Sequence, residues 1–302
     1  MSIEVRNLVK IYGSQKAVNN ISFTINKGEV VGFLGPNGAG KSTTIKIITG
    51  YLQPDEGEVH VCGLNVKEQP LEIKKKIGYL PEANPLYYDM YVREYLEFIA
   101  GVHKIEKPKE KIQHVIELTG LTTEHKKQVG QLSKGYKQRV GLAASLIHNP
   151  EVLILDEPTS GLDPNQIIEI RNVIKEEGRN KTILFSSHIL QEVQAICDRV
   201  LIINKGGLIT DDTLNNLKQN AEADKIKVRF KEPINAEWLR HLPLVKNVSD
   251  LGGNTWLVAS NDSAEVRKQL FQLAIQHNLN IISLQNEESN LEEIFRSLTK
   301  TD

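Results

Sequence analysis

Residues 35–42 read GPNGAGKS, a glycine-rich run closing on a lysine and a serine. It follows the apolar stretch EVVGFLG (29–35) and opens a helical pattern from Lys41 to Thr49. A G-x-x-x-x-G-K-[ST] phosphate loop requires that order: strand, loop, helix. Gly35, Gly38 and Gly40 let the backbone curl through Pro36, Asn37 and Ala39, so that successive N–H groups face a phosphate chain. The helix start at Lys41–Thr43 adds its dipole there. Lys41 supplies positive charge for the outer phosphates, and Ser42 offers a hydroxyl to Mg²⁺. A chance glycine-rich turn would lack the strand before it and the helix after it.

A second group lies in VLILDE (152–157). Its four apolar residues suit a strand inside a sheet, with Asp156 and Glu157 emerging at the C-terminal end, where ligands of open α/β sheets gather. Asp156 can hold Mg²⁺ through water, and Glu157 can take a proton from an attacking water as general base. Alone, such a strand could simply end in polar residues; beside a phosphate loop it reads as half of a nucleotide site.

The order of the remaining motifs resembles one family. LSKGY (132–136), just upstream of VLILDE, resembles the LSGGQ signature of ATP-binding cassette (ABC) ATPases; Ser133 and Gly135 match, whereas Lys134 and Tyr136 depart. PTSGLD (158–163) resembles the family's D-loop, with Asp163 at its end. In SSH (186–188), His188 matches the switch histidine, and Tyr12 matches the aromatic residue that stacks on adenine. The resemblance covers about residues 1–217 and implies an α/β phosphate-loop ATPase. Its fold would have a mainly parallel core sheet, an antiparallel N-terminal β region and a helical signature subdomain at about 85–147. It further implies MgATP as ligand and two subunits closing head to tail, with Ser133 and Gly135 of one reaching the γ-phosphate held by the other. His188 would contact that phosphate too. Segments 77–103, 133–166 and 290–299 look like ATPase subunits of ABC-2-type exporters and, more narrowly, like the gliding-motility-associated ATPase of Bacteroidetes. Where most members have Gln after the proline at position 81, this chain has Glu82, which would set a third carboxylate beside Asp156, Glu157 and the metal.

The elements that must position these residues are legible from periodicity. Residues 2–6 and 17–25 alternate apolar and polar, as half-buried strands do. Strand-like runs at 58–63, 77–82, 152–157 and 182–187 are interleaved with helical spacing at 91–101, 109–119 and 137–147, which points to a layered α/β domain. RVLIINKGGLIT (199–210) reads as a hairpin turning at Gly206-Gly207. Composition shifts near residue 212. Beyond a polar stretch (213–224), strand-like 225–230, 254–260 and 280–285 and helix-like 265–278 and 290–300 outline a small C-terminal α+β accessory domain, residues 218–302. Its role is open between dimer contact, partner contact and regulation. Trp238 and Trp256 read as core or near-core residues of that domain, and Cys62 as a small buried hydrophobe. Tyr87, Tyr88 and Tyr91 read either as core or as part of a groove for a partner helix.

Charge and composition narrow the partners. The 302 residues carry 37 basic and 38 acidic side chains, and the balance holds in both parts of the chain. No basic half advertises nucleic acid. No apolar run approaches the roughly 18 residues of a membrane span, and the start does not read as a signal peptide. Two isolated cysteines indicate neither zinc nor a disulfide framework, and a reducing cytosol is the expected compartment. The leading expectation is an ATPase subunit on the cytoplasmic face of the membrane, serving transmembrane permease subunits on separate chains. The alternatives are a soluble ABC ATPase acting on a macromolecular partner and a non-hydrolysing binding module.

Overall fold

The computed structural model describes residues 1–221, 224–260 and 262–287, with Phe295 and Thr299 beyond them. Of the helix expected at 290–300, all but Phe295 and Thr299 lies outside the described residues. The chain divides into two compact units, Met1–Leu214 and Asn215–Asp302.

The first unit opens with β1 (Ile3–Tyr12) and β2 (Gln15–Ile25), joined at Gly13–Ser14; then come β3 (Val30–Leu34), α1 (Lys41–Ile48), β4 (Glu56–Val61), β5 (Leu64–Asn65), α2 (Pro70–Lys76) and β6 (Ile77–Leu80). A helical stretch follows, α3 (Val92–Val102), α4 (Pro108–Leu118) and α5 (Lys134–Leu146), before β7 (Val152–Asp156), α6 (Pro164–Gly178), β8 (Thr182–Ser187), α7 (Leu190–Ile196), β9 (Arg199–Asn204) and β10 (Gly207–Thr213). Two sheets form. One is antiparallel, in the order β2-β1-β4-β5; the other runs β10-β9-β3-β8-β7-β6, parallel from β9 to β6, with β10 antiparallel at its edge. Strands β7 and β8 are buried at every residue, as a sheet covered on both faces requires. One apolar core joins both sheets, from Ile3 and Phe23 through Phe33 and Ile45 to Ile154 and Leu201.

Two local expectations are corrected. Strand β1 runs to Tyr12, well past residue 6, because register shifts after Val5, Leu8 and Lys10 break the simple alternation while pairing continues. The β9–β10 turn is Lys205-Gly206, not Gly206-Gly207; both turn residues have positive φ (47° and 81°), and Gly207 already pairs with Asn204.

The second unit begins in α8 (Leu214–Ala221) and continues through β11 (Asp224–Phe230), α9 (Ala236–Arg240), β12 (Val245–Gly252), β13 (Thr255–Ser260), α10 (Ser263–Gln276) and β14 (Ile281–Glu287), with an antiparallel sheet ordered β12-β13-β11-β14. Strand β11 alternates strictly: Ile226, Val228 and Phe230 enter the core, against Leu239, Val258 and Leu270. Strand β12 escapes periodicity because Val248 is its one buried residue, at a sheet edge. Trp256 packs half-buried against this core. Trp238 does not enter it; it is 36% exposed, its ring stacked on His277 at 3.8 Å. Cys62 is also only half-buried, since it sits in a turn at φ 50° after β4.

In the first unit, His148 follows α5 and stacks on His103 at 4.0 Å, its Nε2–H donating to Ile77 O at 3.0 Å. Its Nδ1 is buried with no partner among the described residues. Burial, followed by the neighbouring His103, pulls the pKa of His148 down to about 4 from an ordinary 6.5. The unfolded chain therefore binds this proton first as pH falls, and the stability held above pH 6.5 is lost progressively toward pH 4. The thermal unfolding midpoint should fall over that interval, and His148→Gln should flatten the slope; equal slopes for the two proteins would refute this.

Candidate functional site

The phosphate loop leaves β3 through the buried Gly35. A Cβ there would lie 2.4 Å from Ile203 O, so only glycine lets the loop pass so close to β9. Gly40 has φ 109°, and its Cβ would meet Ala17 O at 2.4 Å; glycine is required on both counts. Between them Ala39 N donates to Pro36 O at 3.1 Å, and Ala39 O accepts from Gly206 N at 2.9 Å. The β9–β10 turn thus clamps the loop from behind. The loop ends at the N-terminus of α1, where Gly40 supplies no side-chain cap, and the N–H groups of Lys41, Ser42 and Thr43 have no acceptor within the helix. Gly38 and Asn37 are exposed at the tip. A set of N–H groups at a helix start, with no Cβ in the way, fits a phosphate.

Lys41 is buried and bends back over this loop. Its Nζ donates to Gly35 O at 2.7 Å and Pro36 O at 3.3 Å and lies 3.4 Å from Glu157 Oε1. Glu157 is buried in turn, and its Oε2 accepts from His188 Nδ1–H at 2.8 Å. The chain Lys41–Glu157–His188 therefore spans the ends of β3, β7 and β8. Asp156, also buried, accepts from Ser186 Oγ at 2.6 Å through Oδ1. The backbone of Glu157 has φ 50°, a region non-glycine residues rarely adopt. Such conformations cost about 1–3 kcal/mol each and persist where the surroundings hold them. Here its N–H donates to Ser186 Oγ at 3.0 Å, and its carbonyl accepts from Ser160 N at 3.1 Å.

Glu82 does not join this cluster. Leu80 is the last residue of β6 and pairs with Leu155, so Glu82 lies just past the strand end, on the flank of Asp156 and Glu157. It is exposed, with no hydrogen bond or ion pair among the described residues, so its charge is solvated rather than crowded against the buried pair. Burial, and after it the charge of Asp156, pushes the Tyr79 hydroxyl well above its ordinary pKa, which keeps it neutral behind the acids.

The signature residues form a separate group. Ser133 caps α5, its Oγ accepting from Tyr136 N at 3.4 Å. Gly135 is buried against Gln166, whose Oε1 would lie 2.2 Å from a Cβ at that position. Gln166 and Asp163 form a reciprocal capping box at the start of α6, with Gln166 N donating to Asp163 Oδ1 at 3.0 Å. Arg139 ion-pairs with Glu169 of α6 and donates to Thr119 O at 3.3 Å, binding α4, α5 and α6 together. Among the described residues no hydrogen bond joins Ser133, Gly135 or Asp163 to Lys41, Asp156, Glu157 or His188. Tyr12 is 51% exposed at the β1–β2 turn and pairs with Gln15. Gln15 and Lys16 line, with Pro36–Ala39 and Lys205, a cavity of about 240 Å³ at the loop.

Comparison with known proteins decides the family. The ABC transporter family profile matches residues 18–160, and the profile of the ATP-binding protein DrrA1-3-like, C-terminal domain matches residues 213–299. The linearmycin resistance ATP-binding protein LnrL of Bacillus subtilis (strain 168) is 35% identical over 306 residues, spanning 98% of both chains. The bacitracin transport ATP-binding protein BcrA of Bacillus licheniformis is 43% identical over 222 residues, 72% of this chain and 71% of that one. A bacterial ABC transporter cassette solved as a dimer superposes with a TM-score of 0.65 at 25% identity, covering 70% of this chain and 98% of its own. This chain belongs to the ABC transporter ATP-binding proteins. It is an ATP-binding, ATP-hydrolysing subunit of the ABC type.

In this ABC ATPase the residues that motifs single out one by one meet as two groups, the Lys41–Glu157–His188 chain with Asp156, and the α5–α6 corner with Ser133, Gly135 and Asp163. Sequence reading missed Ser186 and Gln166. The first was in view inside SSH, but a serine carries no signal until its partners are known. The second appears only as the N3 position of a capping box. A Glu157→Gln substitution would replace the carboxylate that faces Lys41 and His188 with a neutral amide of the same size. It should leave ATP binding intact and lower turnover by about 10²-fold or more. Steady-state phosphate release alongside fluorescent-nucleotide binding checks this, and turnover at the parent rate would refute it.

Proposed function

We propose that this chain is the energy-coupling ATPase of an ABC exporter, working at the cytoplasmic face of a membrane with transmembrane permease subunits on separate chains. The observation that carries it is the buried Lys41–Glu157–His188 chain at the mouth of a phosphate loop, an arrangement suited to holding a triphosphate and activating a water beside it. Among the described residues no helix is long and apolar enough to cross a membrane, so the spanning part is assigned to partners. The names of the relatives, resistance for one and bacitracin transport for the other, favour outward movement of a compound. The narrower gliding-motility likeness rests on its short segments alone, and the broader exporter reading is the one adopted.

Each residue then has a role. The N–H groups of Gly38, Gly40, Lys41, Ser42 and Thr43 cradle the phosphates, with Gly35, Pro36, Asn37 and Ala39 shaping the loop, and Lys41 neutralises the outer phosphates. Tyr12 offers its exposed face to adenine. Ser42 and Asp156 would hold Mg²⁺, and Glu82, exposed just past the neighbouring strand end, would join them if its loop closes over the metal. The metal, when bound, draws charge from the phosphate oxygens. Glu157 takes the proton of the attacking water, and His188, fixed through Nδ1, presents its other nitrogen toward the γ-phosphate. Ser133, Gly135 and Asp163 are separate from this group within one subunit, which supports a head-to-tail dimer in which they complete the partner's site.

A groove of about 650 Å³ lies between α2 and β6 on one side and α3 and α5 on the other, lined by Tyr51, Leu71, Tyr79, Tyr95 and Val102. Tyr87, Tyr88 and Tyr91 are about half exposed, so they are not core; they enlarge the aromatic surface available to a permease. Co-purification with a membrane protein, lost when Tyr51 and Leu71 are replaced by Asp, supports this; a chain that captures no membrane protein argues for a soluble ABC ATPase instead.

Two outcomes test the nucleotide side. Glu157→Gln with MgATP should elute as a dimer in size-exclusion chromatography and return to monomer on chelation, while a monomer under both conditions would refute ATP-driven dimerisation. Glu82→Gln should weaken the Mg²⁺ dependence of hydrolysis, because a neutral amide oxygen attracts a hard cation less than a carboxylate does. Superimposable Mg²⁺ activation curves would remove Glu82 from the metal site.

A further inference from the structure

Ser186 is fully buried at the end of β8 and lies directly opposite Asp156 of β7 in the parallel register. A serine hydroxyl has one proton to give and lone pairs to receive. This one gives its proton to Asp156 Oδ1 at 2.6 Å and receives the Glu157 N–H at 3.0 Å. One side chain thus fastens two consecutive acids, and the second of them stands in the left-handed region at φ 50°. Ser187, the next residue, points the other way. Its hydroxyl donates to the buried Glu192 at 2.7 Å and accepts from Ile189 N at 3.0 Å. Among the described residues, Ser186 alone is hydrogen-bonded to both acids.

We propose that Ser186 is a positioning residue for hydrolysis. It locks the backbone of Glu157 in the conformation that sends the carboxylate between Lys41 and His188, and it commits one oxygen of Asp156 so that the other remains for the metal. The proposal rests on Glu157 being the proton acceptor. Without the hydroxyl, the Glu157 N–H loses its partner and nothing else on β8 holds the left-handed turn. The backbone then relaxes toward an ordinary conformation and the carboxylate shifts. Displacements of about 1 Å at a reacting group can lower rates by about 10²-fold. Among the described residues no side-chain hydrogen bond joins Ser186 to the phosphate loop, so nucleotide affinity should survive.

The test compares the parent, Ser186→Ala, Ser186→Thr, Ser186→Cys and Glu157→Gln. Each is measured for kcat and KM in ATP hydrolysis, half-activating Mg²⁺, fluorescent-nucleotide affinity and thermal unfolding. Ser186→Ala should lower kcat by about tenfold or more with KM and nucleotide affinity within about twofold, and should raise the half-activating Mg²⁺ concentration. Threonine, which keeps the hydroxyl, should recover most of kcat. Cysteine, close in volume but a weaker donor, should fall between serine and alanine, and it stands in if the alanine protein does not fold. A kcat within about twofold of the parent in a folded alanine variant, or equal to the parent's in a folded cysteine variant, overturns the positioning role while leaving Glu157 in place. Parallel loss of kcat and nucleotide affinity overturns it too, since that marks a residue serving only the fold. Parent-like turnover in Glu157→Gln removes the catalytic assignment, and this proposal with it.

Discussion

A buried carboxylate and a buried ammonium facing each other govern this molecule. Glu157 and Lys41 have side chains only 8% and 6% exposed, 3.4 Å apart. Either charge alone in that position would be strongly destabilising, because water no longer solvates it and no other full charge compensates it. The strand order makes the pairing possible. Strand β8 lies between β3 and β7, so the loop after β3 and the turn after β7 converge over the end of β8. The β8 end supplies what the pair lacks: Ser186 for the backbone of Glu157 and His188 for its second oxygen. The glycines of the phosphate loop serve the same end. They let Lys41 approach its own loop carbonyls and Glu157 while the helix start stays open.

The second group is built on a different principle. Ser133, Gly135 and Asp163 carry no buried charge and are held by helix caps and by the close approach of α5 to α6. Caps of this kind are worth about 0.5–2 kcal/mol each and leave the side chains near the surface. The Arg139–Glu169 pair joins α5 to α6. Ser133 and Asp163 are exposed at this corner, whereas Lys41 and Glu157 are buried.

The C-terminal unit shows neither feature. Its core of Ile226, Phe230, Val258 and Leu270 is its own, and its conspicuous aromatic stack, Trp238 on His277, is at the surface. Among the described residues no cluster of histidines, cysteines or acids there could hold a metal. Residues 213–299 match the profile of the ATP-binding protein DrrA1-3-like, C-terminal domain.

Much of the site was legible in the linear sequence because it is written in local rules. GPNGAGKS needs its glycines within eight residues, VLILDE announces a buried strand that ends in acids, and the alternation of KIKVRF places Ile226, Val228 and Phe230 inward. Such signals depend on period and spacing, which a chain carries before it folds. Other features were not legible. The strand end that puts Glu82 in solvent, the register that sets Ser186 against Asp156, the bulges that prolong β1 and the left-handed turn at Glu157 are all relations between residues far apart in sequence. So is the fate of Trp238, which residue type alone assigns to a core or its edge. Sequence specifies which residues can do the chemistry, because residue type and local spacing are enough for that. Which of them meet, and in what conformation, is decided by the pairing of β3, β7 and β8, because hydrogen-bond register and burial exist only once distant strands lie side by side.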